Sequence, residues 1–182
     1  MVFIIRDRMK TQVYALLGGE KDGKAAAYQA ERTLFVANGI PADAEQARTV
    51  LGKPYLKNYP GVQFNLSHSG GWGACALSET AVGVDVELVR PLRQQVAKRF
   101  FTPVEQEWLS KRPTEEFFRL WTRKESFTKA LGKGLTLPLD SFSVLDDVLF
   151  RDGIAWYFHE HPIDGGFLTL CCQQSEAEFR IL

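Results

Sequence analysis

The chain has 182 residues, of which 45% are hydrophobic and 24% charged, a balance typical of a globular protein rather than a disordered one. Lysine and arginine together number 22, as do aspartate and glutamate, so the overall charge gives no reason to expect nucleic-acid binding. No apolar run reaches membrane length, and the apolar residues near the start are too few for a signal peptide. The three cysteines lack metal-like or disulfide-framework spacing, and we therefore expect a protein of the reducing cytoplasm.

Hydrophobic patterns and stop signals divide the chain into clusters of helices and strands. Gly39 and Gly132 each follow a helical pattern and mark its end, and Pro103 after Thr102 marks the start of another helix. In chain order, we predict a helix over 24–38, strands over 62–66, 72–77 and 81–87, helices over 92–101, from 102 and over 114–131, and a strand-rich tail. Because strands and helices cluster rather than alternate, the expected fold class is α+β.

The predicted strand over 81–87 carries two carboxylates on one face. Three valines alternate through it and predict a buried face, which places Asp85 and Glu87 together on the opposite face. Neighbouring carboxylates each raise the cost of ionising the other. Two interpretations stay open from this stretch alone: a cation bound between the carboxylates, or a solvated strand face.

The helix over 114–131 carries a lysine inside its apolar stripe. The stripe comprises Phe117, Leu120, Trp121, Phe127 and Leu131. Lys124 lies within it, and its ammonium must leave the core or find an anion, because a buried unpaired charge is costly. Glu125 and Lys129 stand one turn apart at the stripe's edge, where the common interpretation is an ion pair worth about 0.3–0.5 kcal/mol. Alternatively, they join the strand carboxylates in a hard-cation site that faces a phosphate site.

The stretch FNLSHSGGWG, residues 64–73, clusters Ser67, His68 and Ser69 at a strand end. The glycines that follow let the backbone approach a ligand closely. Neighbouring serine and histidine rarely form a catalytic pair, and no aspartate partner is fixed, so contact with phosphate oxygens is the favoured interpretation.

Positive charge is concentrated in the middle of the chain. Residues 90–133 contain eleven lysines and arginines but five aspartates and glutamates, a local excess of +6. Such a segment can bind a polyanionic ligand or an acidic partner, or it can form a charged solvent face.

Taken together and in order, several stretches resemble the signature motifs of one enzyme family. They are GKPYL at 52–56, FNLSHSGGWG at 64–73, VGVDVE at 82–87, RFFTPVE at 99–105 and FFRLWTRKESFTKALGKGL at 117–135. In this combination the chain resembles the 4′-phosphopantetheinyl transferases of the surfactin-synthetase-activating type. The resemblance implies Mg²⁺-dependent transfer of the phosphopantetheine arm of coenzyme A to a serine of an acyl- or peptidyl-carrier protein, with release of 3′,5′-ADP.

The resemblance also implies two similar α+β halves related by a pseudo-twofold axis, with coenzyme A in the cleft between them. In this chain the halves would be residues 1–88, shorter than is usual in the family, and residues 89–182. Both motif sets lie in one chain, which favours a monomer. In the shortened half, only Lys21 and Lys24 could stand for the basic residues that grip the 3′-phosphate.

Metal and catalytic roles follow from the same resemblance. Asp85, Glu87 and Glu125 would hold Mg²⁺, or Mn²⁺, since oxygen ligands suit both. Glu125, or a water held by the carboxylates, would take the proton of the incoming serine, and Lys129 would stabilise the leaving 3′,5′-ADP. The catalytic residues would thus be Asp85, Glu125 and Lys129, which suits a reaction whose barrier falls when cations neutralise a diphosphate.

Contacts with coenzyme A are implied for a further set of residues. They are Thr33, Lys53, Ser67, His68, Lys124 and Lys129, with Ser67 and His68 against phosphates and Lys53 and Thr33 near the nucleotide. The place of Lys124 on the apolar stripe leaves open whether it supports the site or contacts coenzyme A. Glu105 matches an acidic residue of the family, and a capping box with Thr102 explains it equally well.

Three other functions compete with this one. A trimeric holo-acyl-carrier-protein synthase would bring one half per subunit in a shorter chain. A non-catalytic coenzyme A or carrier-protein binding module would be expected to lose a metal carboxylate or the helix lysine, and this chain retains all four. An unrelated Mg²⁺-dependent phosphohydrolase would need a positioned water rather than a surface for a carrier protein.

Overall fold

A computed structural model describes residues 10–18, 22–91 and 95–182 of the chain. Within them, strands and helices form a mixed α+β fold, as the sequence predicts. The strands are β1 (Thr11–Leu17), β2 (Gln46–Arg48), β3 (Pro54–Leu56), β4 (Gln63–Ser69), β5 (Trp72–Ser78), β6 (Val82–Leu88), β7 (Val148–Arg151), β8 (Ile154–Ile163), β9 (Gly166–Cys172) and β10 (Ala177–Ile181). The helices are α1 (Gly23–Ala37), α2 (Gln95–Phe100), α3 (Pro103–Leu109) and α4 (Glu115–Leu131), and two short 3₁₀ turns cover Gly134–Thr136 and Leu139–Ser141.

Two four-stranded sheets pack face to face between two helices. The first sheet has the order β10-β1-β5-β4, with β10 parallel to β1, and the second has the antiparallel order β6-β9-β8-β7. The inner faces of β1, β5, β6 and β9 share an apolar core of mostly small and β-branched residues. Helix α1 covers the outer face of the first sheet, and α4 covers that of the second. Strands β2 and β3 form a separate hairpin.

Helix ends are confirmed where the sequence holds a start or stop signal. Helix α4 ends at Gly132, which adopts a left-handed φ of 66° that favours glycine. Helix α3 begins after Thr102, whose hydroxyl accepts from the Glu105 N–H while the Glu105 carboxylate accepts from the Thr102 N–H. Of the helix predicted over 92–101, residues 92–94 lie outside the described residues. None of the described helices is long and apolar enough to cross a membrane.

Three strands have no counterpart among the predicted elements. Strands β2 and β3 have three residues each, too few for a periodic pattern, and β1 lies in a segment where the sequence analysis predicts no element. The tail is confirmed as strand-rich, with β7, β8, β9 and β10.

Helix α4 lies directly against β6 at a glycine. A Cβ placed on Gly83 would lie closer than 3.0 Å to backbone atoms of α4. Only a glycine therefore lets the helix approach the strand this closely. The consequence is that Glu125 and Lys129 on α4 come next to Asp85, two residues after Gly83.

The division of the chain into residues 1–88 and 89–182 stays a prediction, as does the pseudo-twofold relation between the halves. Each sheet contains strands from both sides of that boundary. Strand β6, which precedes it, pairs with β9 in the second sheet, and β10, near the end of the chain, pairs with β1 in the first.

Candidate active site

The edge strands of the two sheets, β4 and β6, are joined by side chains rather than by a backbone ladder. Alternate residues of β4 accept hydrogen bonds from alternate backbone N–H groups of β6. The three pairs are Asn65 Oδ1 with Val84 N at 3.0 Å, Ser67 Oγ with Val86 N at 3.2 Å and Ser69 Oγ with Leu88 N at 3.2 Å. These bonds satisfy N–H groups that an edge strand would otherwise leave without a strand partner. The polar residues of FNLSHS thereby fix β6, with its carboxylates, beside β4.

Asp85 lies at the centre of the site, where only 5% of its surface is exposed. Its Oδ1 atom accepts from Lys129 Nζ at 2.6 Å and from Ser67 Oγ at 2.9 Å. Its Oδ2 atom is buried and has no hydrogen-bond partner within the part of the chain that the structure describes. Burial raises the pKa of Asp85 above its usual value, and the contact with Lys129 opposes this rise.

Two further carboxylates lie beside Asp85. Glu87 Oε2 accepts from Ser69 Oγ at 3.2 Å and from Arg90 Nη1 at 2.6 Å. Burial is the main cause that raises the pKa of Glu125, and the negative charges of Asp85 and Glu87 raise it further. The three carboxylates therefore form one electrostatically coupled group, which a nearby cation would stabilise.

Two of the common interpretations of this group prove wrong. The face of β6 that carries Asp85 is not solvated, because it packs against α4 and β4. The ammonium of Lys129 makes its ion pair with Asp85, across 44 residues of sequence, and not with Glu125 one turn away in the helix.

The donor chemistry of the group fits a hard divalent cation, although the described side chains are not spaced as in a metal site. Carboxylate oxygens are the ligands that Mg²⁺ and Mn²⁺ prefer, and the buried Oδ2 of Asp85 is an acceptor without a donor among the described residues. Among residues 10–18, 22–91 and 95–182, no group of three or more His, Cys, Asp or Glu side chains is placed to hold a metal ion. In this arrangement the positive charge beside Asp85 comes from Lys129.

A cavity of about 420 Å³ opens next to this group and is lined with positive charge. Its basic side chains come from four parts of the fold: Lys24 on α1, Arg48 on β2, Lys53 before β3 and Lys129 on α4. His68, exposed on β4, also lines it, and its described lining contains no Asp or Glu. Such a cavity suits a polyanionic small molecule.

Lys53 ties the hairpin side of the cavity to the end of α4. Its ammonium donates to the carbonyl oxygens of Ala130 at 2.7 Å and Val82 at 3.2 Å. Burial lowers the pKa of Lys53 to about 8. The side chain also lies over Gly132, the end of α4. Lys53 therefore lines the predicted nucleotide site while holding the carboxyl end of the helix that carries Glu125.

Ser67 and His68 diverge, as neighbours in a strand must. His68 lines the cavity, and its contact with a phosphate stays a prediction. The hydroxyl of Ser67 is instead fully engaged, since it donates to Asp85 and accepts from Lys129 Nζ at 3.0 Å and from the Val86 N–H. Its place is with the carboxylates rather than among the residues that line the cavity.

Lys124 does not reach the cavity, which corrects the expectation that it contacts coenzyme A. It is completely buried and pairs with the equally buried Glu105 at 2.8 Å. Its ammonium also donates to the carbonyl oxygens of Leu139 and Phe142, both at 2.7 Å. Glu105 therefore caps α3 and neutralises Lys124 within the core.

Thr33 is not brought to the cavity either. It lies on the exposed side of α1, and its hydroxyl donates to the Gln29 carbonyl oxygen in the same helix at 2.9 Å. Helix α1 instead lines the cavity with Lys24 and Tyr28, nine and five residues earlier. Lys21, the other basic residue predicted for this region, lies outside the described residues.

Three residues line the cavity although they are not among the predicted site residues: Arg48, Tyr28 and Asn65. Arg48 belongs to a three-residue strand and Tyr28 to the polar edge of a helix, positions without a distinctive pattern. Asn65 had a signal, because it stands two residues before Ser67 in the same alternation.

Comparison with known proteins adds a family and several relatives. A family model described as the 4′-phosphopantetheinyl transferase superfamily matches residues 81–172, a span that includes Asp85, Glu87, Glu125 and Lys129. A 4′-phosphopantetheinyl transferase of Bacillus subtilis is 50% identical over 97 residues, which cover 51% of this chain and 43% of that protein. The 4′-phosphopantetheinyl transferase Sfp of Bacillus subtilis (strain 168) is 46% identical over 135 residues, which cover 66% of this chain and 59% of that protein.

A more distant relative is human. The L-aminoadipate-semialdehyde dehydrogenase-phosphopantetheinyl transferase of Homo sapiens is 33% identical over 153 residues, which cover 64% of this chain and 49% of that protein. The chain spans about half the length of the curated relatives it matches.

Proposed function

The chain belongs to the 4′-phosphopantetheinyl transferase superfamily, and from this we propose that it transfers the 4′-phosphopantetheine arm of coenzyme A to a serine of an acyl- or peptidyl-carrier protein. The products are the modified carrier protein and 3′,5′-ADP. The observation that carries the proposal is the position of Lys129. Its ammonium lines the cationic cavity and at the same time contacts Asp85 in the carboxylate group, so a diphosphate bound in the cavity meets the acidic group at this residue.

Coenzyme A binds in the cavity through its phosphates. Lys24 and Arg48 supply positive charge for the nucleotide end, and His68 supplies a ring nitrogen for a hydrogen bond. Lys129 lies at the end nearest the carboxylates. The volume of about 420 Å³ falls within the range of small-molecule sites.

Asp85, Glu87 and Glu125 would hold Mg²⁺ or Mn²⁺. Either ion, when bound, supplies positive charge that neutralises the diphosphate of coenzyme A. The protein contributes the orientation of these carboxylates: β4 fixes the two on β6, and the close packing at Gly83 brings Glu125 to them.

The chemical step joins the serine oxygen of the carrier protein to the phosphorus of the phosphopantetheine arm. The bond from that phosphorus to the bridging oxygen of the diphosphate breaks, and 3′,5′-ADP leaves. Glu125 accepts the serine proton, a role that suits a carboxylate whose pKa is raised by burial and by its acidic neighbours. Lys129 donates to the leaving phosphate and stabilises its charge.

The carrier protein binds to the exposed basic residues of the segment 90–133. Of the eleven basic residues in 90–133, several are used inside the protein, as Arg123 is with Glu160 and Asp147. Among those that the structure describes, the exposed ones are Arg90, Lys98, Arg99, Lys111, Arg112 and Lys133. An acidic carrier protein complements this surface and is steered towards it. We expect the chain to act as a monomer.

Intact-mass spectrometry of an apo carrier protein incubated with this protein, coenzyme A and Mg²⁺ tests the proposal. We expect the carrier to gain one phosphopantetheine mass, and chelation of the metal to abolish the gain. Glu125→Gln should lower the rate about 10²–10⁴-fold, as loss of a general base does. Glu176→Gln, a change at an exposed glutamate before β10, serves as the matched control and should leave the rate unchanged.

The other outcomes separate the competing functions. Binding of coenzyme A without transfer to fatty-acid, polyketide or nonribosomal-peptide carriers would favour a non-catalytic binding module. Failure of the wild-type protein to bind coenzyme A would refute the proposal.

A further inference from the structure

The two serines of the β4 segment make the same pair of hydrogen bonds at successive positions. Ser67 Oγ accepts from the Val86 N–H and donates to Asp85 Oδ1, one residue earlier in β6. Two residues further along β4, Ser69 Oγ accepts from the N–H of Leu88 and donates to Oε2 of Glu87. A hydroxyl thus bridges each carboxylate to the backbone N–H of the next residue in β6.

The repetition follows from the geometry of two adjacent strands. Side chains two residues apart point the same way, so each step along β4 meets the equivalent step along β6. A hydroxyl has a single proton, and when its lone pair accepts from the backbone N–H, that proton is free to point at the neighbouring carboxylate.

Asn65 provides an internal comparison, because it makes the first of the three contacts without a carboxylate. Its Oδ1 atom accepts from the Val84 N–H at 3.0 Å, but the residue before Val84 is Gly83, which has no side chain. The link between the strands is therefore present at all three positions, and the contact with a carboxylate only at Ser67 and Ser69. If the contacts served only to join the sheets, replacing Asn65 and replacing Ser69 would have the same effect on metal binding.

We propose that Ser67 and Ser69 are positioning residues that orient Asp85 and Glu87 for the divalent cation. This inference rests on the proposed function, in which those carboxylates are metal ligands. A hydroxyl that donates to one oxygen of a carboxylate fixes the side-chain rotamer and presents the other oxygen. For Asp85, that other oxygen is the buried Oδ2, to which no atom in the described part of the chain donates. Ser69 is the cleaner of the two to test, since Ser67 also contacts Lys129.

The experiment measures Mn²⁺ affinity by electron paramagnetic resonance in the wild type and three variants. Coenzyme A is left out, because Asn65 also lines the cavity proposed to bind it. Ser69→Ala removes the hydroxyl, Ser69→Thr keeps it, and Asn65→Ala removes a β4–β6 contact that involves no carboxylate. We expect Ser69→Ala to weaken Mn²⁺ binding about tenfold, the lower end of the effect of outer-shell partners. Ser69→Thr should restore the affinity, and Asn65→Ala should leave it unchanged. Circular dichroism of each variant reports whether it is folded.

The outcomes distinguish failure of the inference from failure of the proposed function. Equal loss of Mn²⁺ affinity in Ser69→Ala and Asn65→Ala, or no loss in either, would overturn the positioning role while the wild type still bound Mn²⁺ and transferred the arm. A wild type that binds no Mn²⁺ and transfers nothing would overturn both.

Discussion

Replacing Lys124 by methionine tests whether the core beneath α4 depends on a buried charge pair. Both Lys124 and Glu105 are completely buried, and their charged atoms lie 2.8 Å apart. Methionine keeps the apolar stem of the side chain but removes the ammonium. The buried carboxylate then loses its counter-charge, and the carbonyl oxygens of Leu139 and Phe142 lose a shared donor.

The expected loss follows from what remains around Glu105. Removing one partner of a buried ion pair costs about 3–5 kcal/mol, because the other charge is left uncompensated. Glu105 keeps three donors, namely the N–H and hydroxyl of Thr102 and the N–H of Val144. These donors disperse part of its charge. We therefore expect the free energy of unfolding to fall by about 3 kcal/mol, the lower end of that range.

Urea unfolding followed by circular dichroism measures this free energy. Lys111→Met is the matched control, because Lys111 pairs with Glu107 on the surface, with 67% and 74% of the two side chains exposed, and should cost under about 0.5 kcal/mol. In the double variant Lys124→Met/Glu105→Gln, the loss should shrink, since a neutral amide still caps α3 and leaves no unpaired charge. A loss below about 1 kcal/mol in Lys124→Met would show that the buried pair contributes no more than an exposed pair does.

Two further predictions concern the packing of α4. Gly83→Ala should lower the free energy of unfolding by about 1–3 kcal/mol, because a Cβ there overlaps the backbone of α4. Gly61→Ala is the control and should have little effect, since its Cβ would meet nothing within 4 Å. Equal losses for the two variants in urea unfolding would contradict this prediction. The stability of the wild type relative to Lys53→Met should rise as pH increases from about 8 towards 10.5, since the unfolded lysine still binds a proton that the folded one has lost. Urea unfolding of both proteins at pH 7 and pH 10 measures the change, and an equal difference at the two pH values would count against a lowered pKa.

The parts of the fold that the sequence predicts well are those controlled by neighbours in the chain. The end of α4 follows from Gly132, which alone tolerates the left-handed turn without strain, and the start of α3 follows from Thr102 and Glu105. The side-by-side carboxylates of β6 follow from the alternation of a strand. Each of these inferences needs only residues within a few positions of one another.

Contacts between distant residues explain what the sequence did not predict. The sequence marks Lys124 as unusual, because it is a charged residue on an apolar stripe. Its partner Glu105 lies on a different helix, so only the tertiary structure shows that the two form a buried pair away from the cavity. The family resemblance implies a place near the nucleotide for Thr33, yet the residues of α1 that line the cavity with a polar side chain are Lys24 and Tyr28. A motif match gives a residue type, and the orientation of the helix decides whether that residue reaches the site.

The ion pair of Lys129 shows how tertiary structure overrides a local rule. The rule for helix neighbours favours Glu125, but it applies to exposed pairs worth a few tenths of a kcal/mol. Asp85 offers a stronger attraction, because a charge withdrawn from water interacts more strongly with a nearby ammonium than an exposed charge does. The glycine at position 83 makes this choice possible by letting α4 rest on the strand. The informative signal in the sequence was therefore a pair of carboxylates between valines, since buried negative charge requires a positive partner from elsewhere in the fold.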